Sequence, residues 1–262
     1  MKKRLIFLFG LLMILSLVGC SKAKETKKNL DPETIYEDAA KKTAELKDID
    51  GTATMKMVMS QGEETMDISM DMDIKMTGVN TEDMKYLCET KMSMLDTDFD
   101  MKMFYTDGYY YIESFGQKIK YPMDYSVMLE QVNESTMQTT DLTKYMKDIK
   151  ATQEGDNTIV TCKLDGEKMT EYIQDIMSGL GTGIDSSLYS GIEGNVETTI
   201  NKDGYFSAAK MSLALDMNIE GQAMKMNMDM DMVYNNPGKE VKAIELPDLK
   251  GYTEVDPSEL NQ

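Results

Sequence analysis

The fold class follows from residues 65–76, which read Thr-Met-Asp-Ile-Ser-Met-Asp-Met-Asp-Ile-Lys-Met. Every second residue is apolar, and the residues between them are polar or charged. Because successive side chains of a β-strand point to opposite faces of a sheet, this alternation predicts a long strand with one apolar face and one charged face. An amphipathic helix would instead repeat its apolar residues at three- and four-residue spacing.

The same two-residue period extends in both directions along the chain. Met55, Met57 and Met59 precede the stretch, before a turn at 61–63. Further strands are predicted at 84–94, 99–105, 109–111, 119–121, 158–164, 196–200, 205–219, 224–234 and 241–244. Residues 223–234 repeat the Met/Asp alternation of 65–76, so we expect about nine or ten antiparallel strands, with both strand groups in one sheet.

Helices are predicted where the period changes to 3.6. Asp31-Pro32-Glu33 is a typical helix start, and the pattern that follows ends near Lys47. The spacing also predicts helices over 125–132, 142–149 and 169–177. The Gly- and Ser-rich stretch 179–194 is predicted to be a mobile loop that gates a groove.

An open sheet of this size curls and must bury its apolar face. The sequence therefore predicts an α+β fold that is mainly antiparallel β. Its expected form is a curved open sheet, or half-barrel, with a few helices covering the concave face. One domain is expected over 31–255, after a signal peptide at 1–19 and a lipidated tether at 20–30, and before a polar tail at 256–262.

The first twenty residues predict export and lipid attachment. Lys2-Lys3-Arg4 is followed by the apolar run 5–18 and then by Leu17-Val18-Gly19-Cys20, the pattern of a secretory signal. The last four residues resemble the lipobox of bacterial lipoproteins. The resemblance implies cleavage before Cys20, its diacylation, and anchoring on the extracytoplasmic face of the bacterial cell membrane.

Charge and composition exclude several classes of function. The net charge of −18 becomes −21 once the three basic residues of the signal are removed, which excludes nucleic-acid binding. Two interpretations of the charge stay open, namely solubility and attraction of a cationic protein partner. The chain has no His, so catalysis by a Ser-His or Cys-His pair is excluded, and we expect no enzyme activity and no cofactor.

Neither the cysteines nor the acidic residues predict a metal site. Cys88 and Cys162 lie in predicted strands and suit either a disulfide or two buried thiols. Asp67, Asp71 and Asp73 follow one strand, where carboxylates diverge, whereas Ca²⁺ needs about six to eight converging oxygens. The acidic face is interpreted as solvated.

The order of elements resembles the lipoprotein-carrier superfamily, which includes the LolA and LolB carriers and the LppX/LprG lipoproteins. The resemblance covers most of residues 30–255, from the lipobox and the opening helix through the meander to Ile244-Glu245-Leu246-Pro247. It is closest to relatives in bacteria without an outer membrane. It implies an unclosed barrel that holds acyl chains, although methionine here replaces the usual aliphatic lining.

The mature chain holds 25 of the 27 methionines, and three interpretations of them stay open. They fill the core, they form an adaptable apolar surface for ligands of varied shape, or they capture Cu(I). The predicted lining of the ligand groove is Met57, Met70, Met72, Met101, Met103, Met211, Met217, Met226, Met228 and Met230.

The function expected from these patterns is non-catalytic binding of a lipid or other apolar ligand by a membrane-anchored lipoprotein. The alternative is an envelope interaction or structural lipoprotein without a small ligand. Tyr109, Tyr110 and Tyr111 suit either the groove rim or ordinary strand packing.

Overall fold

The computed structural model describes residues 31–79, 81–95, 97–128, 142–170, 189–219 and 221–256. Helix α1 spans Pro32–Ala44, a 3-10 turn spans Leu142–Tyr145, and residues 125–128 and 166–170 are helical. The first six strands are β1 Ile49–Gln61, β2 Glu64–Thr77, β3 Lys85–Met94, β4 Thr97–Thr106, β5 Tyr109–Ser114 and β6 Gln117–Pro122. The remaining strands are β7 Met146–Glu154, β8 Asn157–Leu164, β9 Tyr189–Ile200, β10 Phe206–Ile219, β11 Gln222–Tyr234 and β12 Thr253–Glu254.

The described strands form one sheet in the order β12-β6-β5-β4-β3-β2-β1-β11-β10-β9-β8-β7. All neighbours pair antiparallel except β12, which pairs parallel to β6 through two residues. The order is linear, with β12 and β7 at its two ends, so the sheet is open and does not close into a barrel. The predicted α+β class, mainly antiparallel and with both strand groups in one sheet, is confirmed.

Strand β1 lies where the two strand groups meet. Met55 lies opposite Met70 of β2 and Met230 of β11, whereas Thr54 lies opposite Asp71 and Asp231. Because the register keeps the alternation in step across the strands, one face is apolar and the other is charged. The two similar stretches seen in the sequence are thus the two neighbours of one central strand.

Helix α1 packs on the apolar face, where it contacts β7 and β10. Its buried residues include Tyr36, Ala39 and Ala40, and the Tyr36 ring lies 5.2 Å from that of Phe206 at the start of β10. The helix has Pro32 in its first turn, as predicted, and ends a few residues earlier than expected, at Ala44. One end of the apolar face is thereby covered.

The predicted helix over 142–149 is wrong in its second half. Leu142–Tyr145 forms one 3-10 turn, and strand β7 begins at Met146. A register shift between Lys147 and Lys150, with Asp148 at φ 57°, inserts a bulge into this strand. Because of the extra residue, Met146 and Ile149 both face the core although they are three residues apart. Three-residue spacing of apolar residues is typical of a helix, which explains the wrong prediction.

The predicted strand 241–244 and part of the predicted loop 179–194 are also wrong. The chain from 240 to 249 is irregular, and the last strand is β12 instead. Residues 189–194 belong to β9, and the rest of that loop lies outside the described residues. So do the signal peptide, the tether with Cys20, most of the predicted helix 169–177 and all but the first residue of the polar tail.

Candidate ligand-binding face

The apolar face of the adjacent strands β4, β3, β2, β1, β11 and β10 carries a grid of methionines, which we call the methionine face. Its central row crosses five strands in direct register and contains only methionine. The row reads Met92 on β3, Met70 on β2, Met55 on β1, Met230 on β11 and Met211 on β10. Neighbouring strands lie about 4.8 Å apart, so the thioethers follow one another at close spacing.

All ten predicted lining methionines lie on strand positions of this face. Seven are buried, namely Met57, Met70, Met103, Met217, Met226, Met228 and Met230. The other three, Met72, Met101 and Met211, are partly buried. The alternation therefore brought the predicted residues together on one surface, but most of them pack within the core.

The methionine face divides between two hydrophobic clusters. Met103, with Met72 and Met101 against it, belongs to the cluster beneath α1. A second cluster contains five more of the predicted residues together with Leu164, Met169 and Ile192. These five are Met57, Met70, Met217, Met226 and Met228. Methionines at the margin of the second cluster, such as Met59 and Met66, are only partly buried.

The charged face holds two open depressions that the sequence analysis did not predict. One, of about 760 Å³, crosses β1 and β11 to β7, and its four lysines match its four carboxylates in number. The other, of about 900 Å³, crosses β2 to β5, with six carboxylates and two lysines. Lys210 lies 3.8 Å from Asp231 in the first depression. The pairing of opposite charges follows from the register, which the sequence alone does not contain.

A small aromatic cluster on the charged face was also missed. Leu87, Phe104 and Tyr111 are buried there by the C-terminal segment, whose Ile244 joins them. The Tyr252 ring meets that of Tyr111 at 5.1 Å, edge to face. The available signal was a local loss of alternation, since both faces of 86–88 and 103–105 are apolar.

The sequence matches the model of a family of unknown function, DUF6612, over residues 31–249. The chain belongs to the DUF6612 family. No curated protein matches it. The match to DUF6612 spans α1, strands β1–β11 and the C-terminal segment up to Leu249. The residues of both the methionine face and the charged face therefore lie within the part of the chain that matches the family.

Several solved structures resemble this DUF6612 chain in part. LprF from Mycobacterium bovis is 12% identical, covers 82% of this chain and 96% of its own, and has a TM-score of 0.44. The ywiB protein from Bacillus subtilis is 11% identical. The match covers 71% of this chain and 92% of the ywiB chain, with a TM-score of 0.19.

A putative outer membrane lipoprotein-sorting protein domain from Vibrio parahaemolyticus is also similar in part. It is 9% identical, covers 73% of this chain and 87% of its own, and has a TM-score of 0.20. TM-scores below 0.5 do not establish a common fold. Membership of the DUF6612 chain in the lipoprotein-carrier superfamily therefore stays a prediction.

Both thiols in the described part of the DUF6612 chain are free and buried. Burial raises the pKa of Cys162 to about 11, against the opposing effect of a hydrogen bond from the Val196 backbone. Burial likewise raises the pKa of Cys88. Among the described residues, no group of three or more His, Cys, Asp or Glu side chains is placed to hold a metal ion.

Proposed function

We propose that this protein is a non-catalytic lipoprotein of the bacterial cell envelope that binds a lipid or other apolar ligand at its methionine face. Its anchor would be the lipid on Cys20, at the extracytoplasmic side of the membrane. In the described part of the chain, no helix is both long and apolar enough to cross a membrane.

The observation that carries this proposal is the gathering of ten predicted methionines on one continuous face. Methionine is unbranched and polarisable, so a face built from it can adjust to ligands of varied shape. Burial of an acyl chain contributes about 0.8 kcal/mol per CH₂ before ordering costs. A groove at this face that buried most of one acyl chain would therefore hold it.

Composition supports a non-catalytic role. The chain contains no His, the commonest general base at neutral pH. Cys162 is buried and its pKa is raised to about 11, so its nucleophilic thiolate is scarce at neutral pH. These observations favour binding over chemistry.

Burial of the methionine face favours the second candidate, an envelope interaction or structural protein without a small ligand. Met55 and Met228 are 1% and 2% exposed, which is typical of a filled core. In this alternative the charged face would contact a cationic protein. The two candidates differ in whether the methionine face binds a small apolar ligand.

Native mass spectrometry of the mature chain tests the choice. The protein would carry Cys20→Ser, so that it stays free of its own lipid, and would be purified without detergent. Bound mass that matches lipid and disappears on organic extraction would support the apolar-ligand proposal. A mass equal to the polypeptide alone, unchanged after incubation with envelope lipids, would overturn it in favour of the second candidate.

Adjacent residues on opposite faces provide a matched pair of variants. Met211 lies on the methionine face, and Ser212 follows it on the charged face of β10. Met211→Gln is expected to reduce lipid retention, whereas Ser212→Gln is expected to leave it unchanged. Equal retention in both variants would place the ligand elsewhere.

A further inference from the structure

Five methionines on four adjacent strands lie at the hairpin end of the methionine face. Met59 on β1 lies opposite Met66 on β2 and Met226 on β11. Met224, two residues before Met226, lies opposite Met217 on β10. Opposite residues have Cβ atoms about 4.5–5.5 Å apart, and residues two apart on one strand are separated by about 7 Å. We call this group the outer methionine cluster.

The outer methionine cluster is open to solvent, unlike the centre of the grid. Met59, Met66 and Met224 are partly exposed, whereas Met217 and Met226 are buried behind them. All five belong to one hydrophobic cluster. The three flexible torsions of each side chain allow the sulfurs of neighbouring methionines to approach one another. An ion could therefore reach thioethers here without opening the core.

The backbone around the outer methionine cluster is held in place. The side-chain amide of Gln61, at the end of β1, donates a hydrogen bond to the side-chain carbonyl of Gln222, at the start of β11. This contact joins the β1–β2 and β10–β11 hairpins, which together carry all five methionines. Main-chain pairing of β1 with β2 and with β11 extends to this end of the sheet, so the strands are held in register while the methionine side chains keep their freedom.

Chemistry selects the kind of ion. Thioether sulfur is a soft, neutral ligand that suits Cu(I), whereas carboxylate and water oxygens suit Ca²⁺ and Mg²⁺. A thioether carries no proton, so binding does not require deprotonation of the ligand. Glu63 lies in the turn between β1 and β2 and Glu64 begins β2, at the same end of the sheet, and the mature chain has a net charge of −21. The field therefore favours a cation at a site whose ligands are neutral.

Neighbouring positions show that branched aliphatic residues also fit this face. Leu215 on β10 lies opposite Met226, which itself lies opposite Met59. Ile68 on β2 lies opposite Met57, two residues before Met59. Core filling alone therefore does not require methionine at Met59, Met66 and Met224. Thioethers that are partly exposed at one end of the sheet are what a soft-metal site needs.

We propose that the outer methionine cluster binds Cu(I), for which Ag(I) is a redox-stable analogue. This inference is independent of the apolar-ligand proposal, although the two share Met217 and Met226. The sequence alone shows methionines along most of the predicted strands and so does not locate a copper site. The strand register locates the proposed site at one end of the sheet.

Silver titration of the mature Cys20→Ser chain tests the site. Calorimetry is expected to show saturable binding of one Ag(I), and Cu(I) supplied under anaerobic conditions is expected to compete for it. The triple variant Met59→Leu, Met66→Leu and Met224→Leu is expected to weaken binding at least tenfold. Zn²⁺, a borderline ion, is expected to bind neither protein.

A second triple variant is the matched control. Met72→Leu, Met101→Leu and Met103→Leu remove three thioethers from the cluster beneath α1, and Leu replaces Met with little change in volume. This control is expected to bind Ag(I) like the parent protein. Equal weakening in both triples, or unsaturated binding spread over many sites, would overturn the proposal. Thermal unfolding of both variants would establish that they fold.

Because silver also binds thiols, peroxide mapping supplies a second readout. Oxidation transfers one oxygen from hydrogen peroxide to the thioether sulfur and releases water, giving methionine sulfoxide. Bound Ag(I) is expected to protect Met59, Met66 and Met224 from oxidation, as measured by peptide mass spectrometry. Protection absent at these residues while silver is bound would assign the metal to Cys88 or Cys162 and contradict the proposed site.

Discussion

The Thr43 hydroxyl oxygen accepts a hydrogen bond at 2.9 Å from the main-chain N–H of Phe206, and so joins α1 to the first residue of β10. The same hydroxyl donates to the carbonyl of Ala39 at 2.8 Å. Thr43 is fully buried. One side chain therefore satisfies main-chain groups on both the helix and the sheet.

Thr43→Val is expected to destabilise the protein by about 1–3 kcal/mol, because it leaves the buried Phe206 N–H without its partner. Thr43→Ser keeps the hydroxyl and is expected to cost less. Urea-induced unfolding measures both differences. A Val variant as stable as the Ser variant would contradict the assigned role of the hydroxyl.

Gly166→Ala is expected to destabilise the protein by about 1–3 kcal/mol through overpacking. A Cβ at Gly166 would lie 2.3 Å from the main-chain oxygen of Ile192, which cannot swing aside. Gly191→Ala is the control, since its nearest neighbour, a carboxylate oxygen of Asp216, lies 3.6 Å away. Thermal unfolding compares the two, and equal losses would refute the steric explanation.

Met55→Ala is expected to cost about 2–5 kcal/mol, as for other large-to-small changes in a core. Met55 is 1% exposed at the centre of the methionine face. Met55→Leu preserves volume and is expected to cost less than about 1.5 kcal/mol. Chemical denaturation provides the measurement. A mild effect of Met55→Ala would mean that the centre of this face is loosely packed.

Stability is expected to fall as pH rises between about 9 and 11, in part through Cys162. Burial raises the pKa of this thiol from its ordinary value near 9 to about 11, so the unfolded chain releases the proton first. The unfolded state then binds fewer protons, and the free energy of unfolding decreases with pH in this window.

Cys162→Ala removes this contribution, together with the smaller effect of the Cys162 charge on the pKa of Tyr36, whereas buried Tyr234 titrates in both proteins. The variant is expected to show a shallower fall of unfolding free energy over the same pH range. Denaturation at a series of pH values checks this expectation. Parallel curves for the two proteins would show that Cys162 is not held protonated by folding.

The alternation in residues 65–76 was enough to predict the strand, its two faces and the open antiparallel sheet. It was not enough to predict that β1 lies between β2 and β11. A two-residue period states which face a side chain occupies, but not which strand lies beside it. The alternation therefore indicated that the methionines share one face, while the central row and the outer methionine cluster required the register.

Two failures have specific physical causes. The bulge in β7 moved Ile149 onto the same face as Met146 and so imitated helical spacing. Ile244 was predicted within a strand, but it lies in an irregular segment. Its side chain is buried against Leu87 and Phe104 on the charged face of the sheet. The first failure came from an extra residue within a strand, and the second from a tertiary contact made by an irregular segment.

The position of β1 also dictates the order in which the protein can fold. One side of β1 can pair with β2 as soon as these two neighbouring strands are free to fold, but its other side waits for β11, near the end of the chain. Contacts so distant in sequence slow folding, and until they form β1 presents an unpaired hydrogen-bonding edge. The newly made chain therefore stays incomplete until nearly all of it is available, and this interval is when chaperones would engage it and when aggregation would compete.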